Sequence, residues 1–232
     1  MALILNIESA TTMCSVALGE DGVCIDFEEV NDGYSHAEKL GVFADELLKR
    51  NHFSPSDLDA IAVSKGPGSY TGLRIGVSLA KGLCFGADKP LIAIDTLKQM
   101  CLNSVVQDVI SEIEDPVLCP MLDARRMEVY TALFDKEIES LNDISPVILD
   151  ETSFAEELQK HTMLFFGNGS EKFKPLCLSQ NGRFLNGIWP SASQMTSLSE
   201  KSYIEENYED VAYFEPFYLK DFQATTPKKG IV

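Results

Sequence analysis

The chain has 232 residues, enough for one large domain or two smaller ones of about 100 residues each. Hydrophobic residues make up 45% of it, yet no apolar run reaches the roughly 18 residues of a membrane helix, which excludes a helical membrane protein and implies a core. Acids outnumber bases 36 to 19, so the net charge of −17 repels polyanions at long range, and a nucleic-acid partner would draw most of its phosphate contacts from elsewhere.

In chain order, residues 3–7 read as a short apolar strand ending at Glu8, followed by a hydroxyl-rich turn, Ser9-Ala10-Thr11-Thr12. Residues 14–18 and 23–30 read as two more strands joined by a turn at 19–22, which makes a meander. Ser35 with Glu38 three residues on is a capping-box pattern, and it opens an amphipathic helix through Leu40, Phe43, Ala44, Leu47 and Leu48. His36, at that helix start, reads as a surface histidine. Residues 60–63 form a buried strand, 91–94 another, and Asp95 is placed to cap a helix over 96–104.

A second block starts near Asp115. An apolar strand over 117–122 ends at Asp123, a polar turn follows (Ala124-Arg125-Arg126), and residues 128–134 resume a strand. The first block opens in the same way, which implies two copies of one α/β module. Pro120 removes a ladder hydrogen bond, so an edge position or a bulge is expected there. Residues 147–149 and 163–166 read as strands, the latter ending in the turn Gly167-Asn168-Gly169-Ser170. An acidic run, residues 205–210, reads as a solvated face; the very end turns basic, with Lys220, Lys228 and Lys229.

The six cysteines have no Cys-x-x-Cys pair and sit mostly among apolar neighbours, as reduced thiols in a cytoplasmic protein would. None of the three histidines has metal-ligand spacing to another, and no Ser-His-Asp or Cys-His arrangement emerges, so neither a metal site nor a catalytic residue is assigned. The start of the chain, Met1-Ala2-Leu3-Ile4-Leu5, lacks the basic region and cleavage site of a signal peptide.

The stretch that carries most information is Ser64-Lys65-Gly66-Pro67-Gly68-Ser69-Tyr70-Thr71-Gly72-Leu73-Arg74-Ile75-Gly76. Such a glycine-rich turn between strand and helix brings backbone close to an anion or to another chain segment. It lacks the terminal Gly-Lys-Ser/Thr of a nucleotide-binding P-loop, and its glycine spacing is one residue too long for a dinucleotide fingerprint. Gly72, Gly76 and Ala80 then recur four apart on one helix face, where a second backbone can approach; the stripe packs either on the chain's own sheet or at a subunit interface. Glu8 and Asp123, one at the end of each opening strand, are either turn carboxylates or a pair able to hold a magnesium–nucleotide complex between two lobes.

The glycine stretch closely resembles the signature of the TsaB (YeaZ) family, and Asp123-Ala124-Arg125-Arg126-Met127-Glu128-Val129-Tyr130 resembles that family's second characteristic stretch. The similarity runs from Leu3 to about Phe134 and resumes at Pro216-Phe217-Tyr218-Leu219-Lys220. The resemblance implies an α/β fold of the actin-like (ASKHA, Hsp70 and sugar-kinase) type, with two RNase H-like lobes. These are expected over 1–104, with 211–232 packing back on that lobe, and over 115–210. It implies a cytoplasmic, non-catalytic scaffold for a TsaD-like transferase that places threonylcarbamoyl on tRNA adenosines. A TsaE-like ATPase would be a further partner, the chain alone would be a homodimer, and tRNA would be met only through the complex.

TsaD proteins carry a His-x-x-x-His metal pair after the glycine segment. The corresponding residues here, Ile94-Asp95-Thr96-Leu97-Lys98-Gln99-Met100, contain no histidine. Actin-like ATPases follow their first strand with a glycine-containing phosphate loop; this chain has Ser9-Ala10-Thr11-Thr12 there. The resemblance thus leaves Glu8, Thr11, Thr12 and Asp123 as candidate ligands of ATP or ADP with magnesium. It makes Gly66, Pro67, Gly68, Ser69, Tyr70 and Arg74 the signature loop. The expected interface comprises Ser35, Leu40, Phe43, Thr71, Gly72, Ile75, Gly76, Leu79 and Ala80. The competing reading is an actin-fold ATPase or phosphotransferase acting through Glu8 and Asp123.

Overall fold

The computed structural model describes residues 2–33 and 35–220. The predicted meander forms: β1 (Leu3–Glu8), β2 (Cys14–Glu20) and β3 (Val23–Val30) pair antiparallel in sequence order. β4 (Ala60–Gly66) and β5 (Leu91–Asp95) then join the other edge parallel to β1, giving the order β3-β2-β1-β4-β5. Every residue of β1 is buried, as expected of a strand covered on both faces. On one face lie α1 (His36–Arg50) and α2 (Tyr70–Ala87), whose Leu40, Leu47, Val77 and Ala80 meet Leu5, Ile7, Val16 and Leu18. Each such Leu, Ile or Val side chain contributes about 1.5–3 kcal/mol on burial.

The second block repeats this topology. β6 (Pro116–Asp123), β7 (Glu128–Thr131) and β8 (Ser145–Ile148) form a meander, and β9 (Thr162–Phe166) and β10 (Gly182–Leu185) add parallel to β6. The order β10-β9-β6-β7-β8 is the first sheet's order written again. Phe154, Phe165, Phe173 and Phe184 pack together on this sheet, with Phe165 centred 5.0 Å from both Phe173 and Phe184.

Several expectations are corrected. Ser35 precedes α1, but its hydroxyl donates to Asp32 at 2.7 Å and the capping box does not close. The helix expected over 96–104 is two: α3 (Thr96–Met100) and α4 (Ser104–Ser111), because Asn103 accepts from Val105 N–H and starts a new helix. Pro120 lies in a central strand, not at an edge. The β6–β7 ladder stops at Met121–Thr131 and is resumed by a bridge at Leu118–Phe134, so the N–H that proline lacks falls in a gap of the ladder; Thr131 Oγ1 donates to the Pro120 carbonyl at 2.8 Å.

The other helices are α5 (Ala155–Lys160), α6 (Ser170–Phe173) and α7 (Thr196–Ile204). α7 lies on the outer face of the first sheet, where Met195 and Ala192 are buried with Ile4, Ala17, Ala62 and Ile92. Residues 191–204 therefore pack with the first unit, although they lie inside the 115–210 span expected of the second. Residues 211–220 also pack on the first unit: Val211 and Phe214 touch its core, and Lys81 Nζ donates to the carbonyls of Ala212 and Phe214 at 3.1 Å. The rest of the expected return segment, with Lys228 and Lys229, lies outside the described residues.

Candidate functional site

The parallel strands β1, β4 and β5 end side by side in Glu8, Ser64–Gly66 and Asp95. Such carboxyl ends, beside a change of strand direction, are where open α/β sheets bind ligands. In this chain the place is filled. The turn after β1 is clamped by α2 and α1, and two of its carbonyls are occupied. Ala10 O accepts from Ser69 N–H at 2.6 Å, and Thr11 O pairs with His36 Nε2 at 2.6 Å. The latter bond requires the proton on Nε2.

The glycines explain how α2 comes so close. A Cβ at Gly68 would fall far inside contact with Ala10, one at Gly72 with Ser9 O and one at Gly76 with Ser9 Oγ. Gly72, Gly76 and Ala80 are all buried, as is Leu40. The stripe therefore serves packing within the chain, and these four residues are removed from the expected interface. His36 is likewise 2% exposed, a core histidine rather than a surface one.

Glu8 is fully buried. Its Oε1 accepts from Ala10 N–H at 2.5 Å, and its Oε2 meets the side-chain amide of Gln99. Desolvation, only partly offset by these bonds, pushes its carboxyl up to about 7. α3 sends Leu97 and Met100 into the second core, so the Glu8–Gln99 contact ties the two sheets together. Ser9 Oγ, Thr96 Oγ1 and Gln99 Oε1 are buried around it without a hydrogen-bond partner. Asp95 caps α3 through Leu97 N–H at 2.8 Å and Lys98 N–H at 3.1 Å, as expected; burial raises its carboxyl, and Lys65 and Lys98 pull it back.

Thr11 is buried, and Thr12 Oγ1 donates to Asn31 at 2.7 Å. Asp123 is exposed and takes partners of its own: Lys172 Nζ at 2.9 Å and Arg125 N–H at 2.6 Å. Glu8 and Asp123 thus share no partner. Gln99, which the sequence did not flag, is the side chain that completes the Glu8 site; only its contact across the sheets could reveal it.

The signature loop forms the rim. Gly66 has φ +112, which glycine tolerates, and a Cβ there would also lie 2.8 Å from Phe217 O. Phe217 N–H donates to Lys65 O at 2.7 Å. Tyr70 stacks near Tyr218, ring centroids 4.8 Å apart, and Arg74 lies 5.3 Å above the Tyr70 ring. Outside this rim, Ala37, Tyr70, Thr71, Arg74, Ile75 and Ser78 line an open hollow of about 480 Å³ on the α1–α2 face. Of the expected interface residues, Thr71 is exposed; Ser35, Phe43, Ile75 and Leu79 are half-buried.

A family model for TsaD, tRNA N6-adenosine threonylcarbamoyltransferase, matches residues 33–228. The "tRNA threonylcarbamoyladenosine biosynthesis protein TsaB" of Escherichia coli (strain K12) is 27% identical over 224 residues, 94% of each chain. Its Bacillus subtilis (strain 168) namesake is 31% identical over 193 residues, 80% of each. The transferase of Anaplasma marginale is 33% identical over 117 residues, 47% of this chain and 34% of its own. The solved structure "YeaZ from Pseudomonas aeruginosa" superposes with a TM-score of 0.75 at 23% identity, over 94% of this chain and 100% of its own, which shows a shared fold.

Proposed function

The chain belongs to the TsaB (YeaZ) family, within the reach of the TsaD transferase model, and from that premise we propose that it is a non-catalytic subunit supporting a TsaD-type transferase in the biosynthesis of threonylcarbamoyladenosine in tRNA. The observation that carries this reading is the closed turn after β1. In an actin-like ATPase that turn cradles phosphate with backbone amides. Here the Ala10 carbonyl accepts from Ser69 at the start of α2 and the Thr11 carbonyl from His36 of α1, and Gly72 and Gly76 of α2 occupy the space from the other side. The neighbouring carboxyl, Glu8, is held by Gln99 and Ala10 rather than turned toward a ligand. The lack of histidine over residues 94–100 agrees with this, since a transferase of this kind draws its metal from that stretch.

On this reading the chain acts by contact. The docking surface is the outer face of α1 and α2 around Thr71, Arg74, Ile75 and Ser78, one helix face away from the glycine stripe. A TsaE-type ATPase joins the assembly, and ATP with magnesium is not bound at Glu8. A chain carrying Thr71→Arg and Ser78→Arg tests this, because both residues are exposed and the variant keeps its core. It is expected to fold normally, to lose co-purification with the transferase, and to lower reconstituted tRNA modification by tenfold or more, on the order of 1.4 kcal/mol of lost association. Wild-type yield of the complex from this variant would reject the assigned face.

A further inference from the structure

The turn between β6 and β7 differs in charge from the chain around it. Arg125 and Arg126 both have positive φ, +70 and +48, a region that bulky L-residues avoid and that Asn or Gly would enter at little cost. Asp123 holds the turn by accepting from Arg125 N–H at 2.6 Å, and Ala124 N–H closes it on Glu128 O at 3.0 Å. The two carboxylates flanking the arginines are already engaged. Lys172 reaches Asp123 at 2.9 Å from 49 residues away, and Lys220 reaches Glu128 from 92 residues away. Arg125 and Arg126 are exposed and take no ion-pair partner among the described residues. In a chain with 36 acids and 19 bases, a local set of four cations whose two arginines stay unpaired is a departure from the bulk charge.

We infer that the Arg125–Arg126 turn is a contact site for the phosphate backbone of the RNA on which the assembly acts, an inference that rests on the proposed role in tRNA modification. Guanidinium groups match phosphate oxygens two by two. A turn that fixes the backbone in a costly conformation presents both of them outward without a competing carboxylate. The long-range repulsion of a −17 chain is then offset locally, once a partner has brought the RNA near.

The test replaces the pair with residues suited to the same backbone, Arg125→Asn with Arg126→Gly, in the full chain within the reconstituted assembly. The variant is expected to melt at or above the wild-type temperature, which separates binding from folding. The assembly's affinity for tRNA should fall on the order of tenfold, and the slope of log affinity against log salt should lessen by about 1–2, as two lost phosphate contacts require. An unchanged affinity and slope in a fully formed assembly overturns the inference. So does a variant that fails to join the assembly before RNA is added, because the arginines then serve a protein carboxylate. If omitting the chain altogether leaves tRNA binding and modification unaltered, the underlying functional reading fails instead.

Discussion

Replacing Glu8 by glutamine should stabilise this protein, and do so only above mildly acidic pH. The carboxyl titrates near 7 in the fold against about 4.5 when free, because burial disfavours its charge. A raised carboxyl binds its proton more tightly folded than unfolded. Stability is therefore full below about 4.5 and falls as pH rises, by up to about 1.4 kcal/mol per unit, until about 7. The 2.5-unit span amounts to roughly 3 kcal/mol of destabilisation at pH 8. Glutamine has the same shape and no charge. Its carbonyl keeps the bond from Ala10 N–H, and its amide can donate to Gln99 Oε1, which is buried without a partner, once the Gln99 amide turns over. Urea unfolding of both proteins from pH 4.5 to 8.5 measures the difference directly. The Glu8→Gln curve should run level with wild type at the acid end and rise above it by about 2–3 kcal/mol at the alkaline end. Two curves that stay parallel across that range would refute the assignment of a neutral carboxyl at this contact.

The glycines divide by what surrounds them. Gly76→Ala drives a methyl into Ser9 and should cost about 1–3 kcal/mol in chemical denaturation, whereas Gly82→Ala, on the same helix with nothing within 4 Å, should gain about 0.5–1 kcal/mol. Equal effects at the two sites would undo the packing argument. In the second unit, Phe165→Ala removes the ring shared by Phe154, Phe173 and Phe184, and a loss of about 3–5 kcal/mol is expected, read by the same denaturation.

The strands were legible because their patterns are local. Leu3 to Ile7, Ala60 to Val63 and Met163 to Phe166 are apolar runs bounded by turn residues, and each forms as expected. What failed depends on distant neighbours. His36 looks like a helix-start histidine until Thr11, 25 residues earlier, is found against its ring. The stripe of Gly72, Gly76 and Ala80 offered two surfaces, and only the position of Ser9 and Ala10 decides that its partner is internal. Residues 191–204 have little periodicity of their own, so their return to the first sheet rests on Ala192 and Met195 meeting Ile4 and Ala62. Gln99 carried no signal, since an amide in a short helix acquires meaning only from the carboxyl it faces.

The repeat read from two strand–carboxylate–turn openings goes further than strand order. β4 ends in Gly66 and runs on through Pro67-Gly68-Ser69, and β9 is followed by Gly167-Asn168-Gly169-Ser170; in each the first glycine has positive φ, +112 and +96. Both segments press on the end of the central strand or the turn beyond it. Ser69 N–H donates to Ala10 O at 2.6 Å, and Gly169 N–H to Met121 O at 3.0 Å. The glycine pair is therefore a packing requirement of the module, met twice, and by itself no mark of catalysis. The units diverge in the helix that follows. α2 runs 18 residues and packs its glycines on the turn after β1; α6 runs 4 and leaves the turn after β6 open, with Asp123 and the two arginines at the surface. One copy has closed its loop against its own helix, and the other keeps its loop outside, where a partner can reach it.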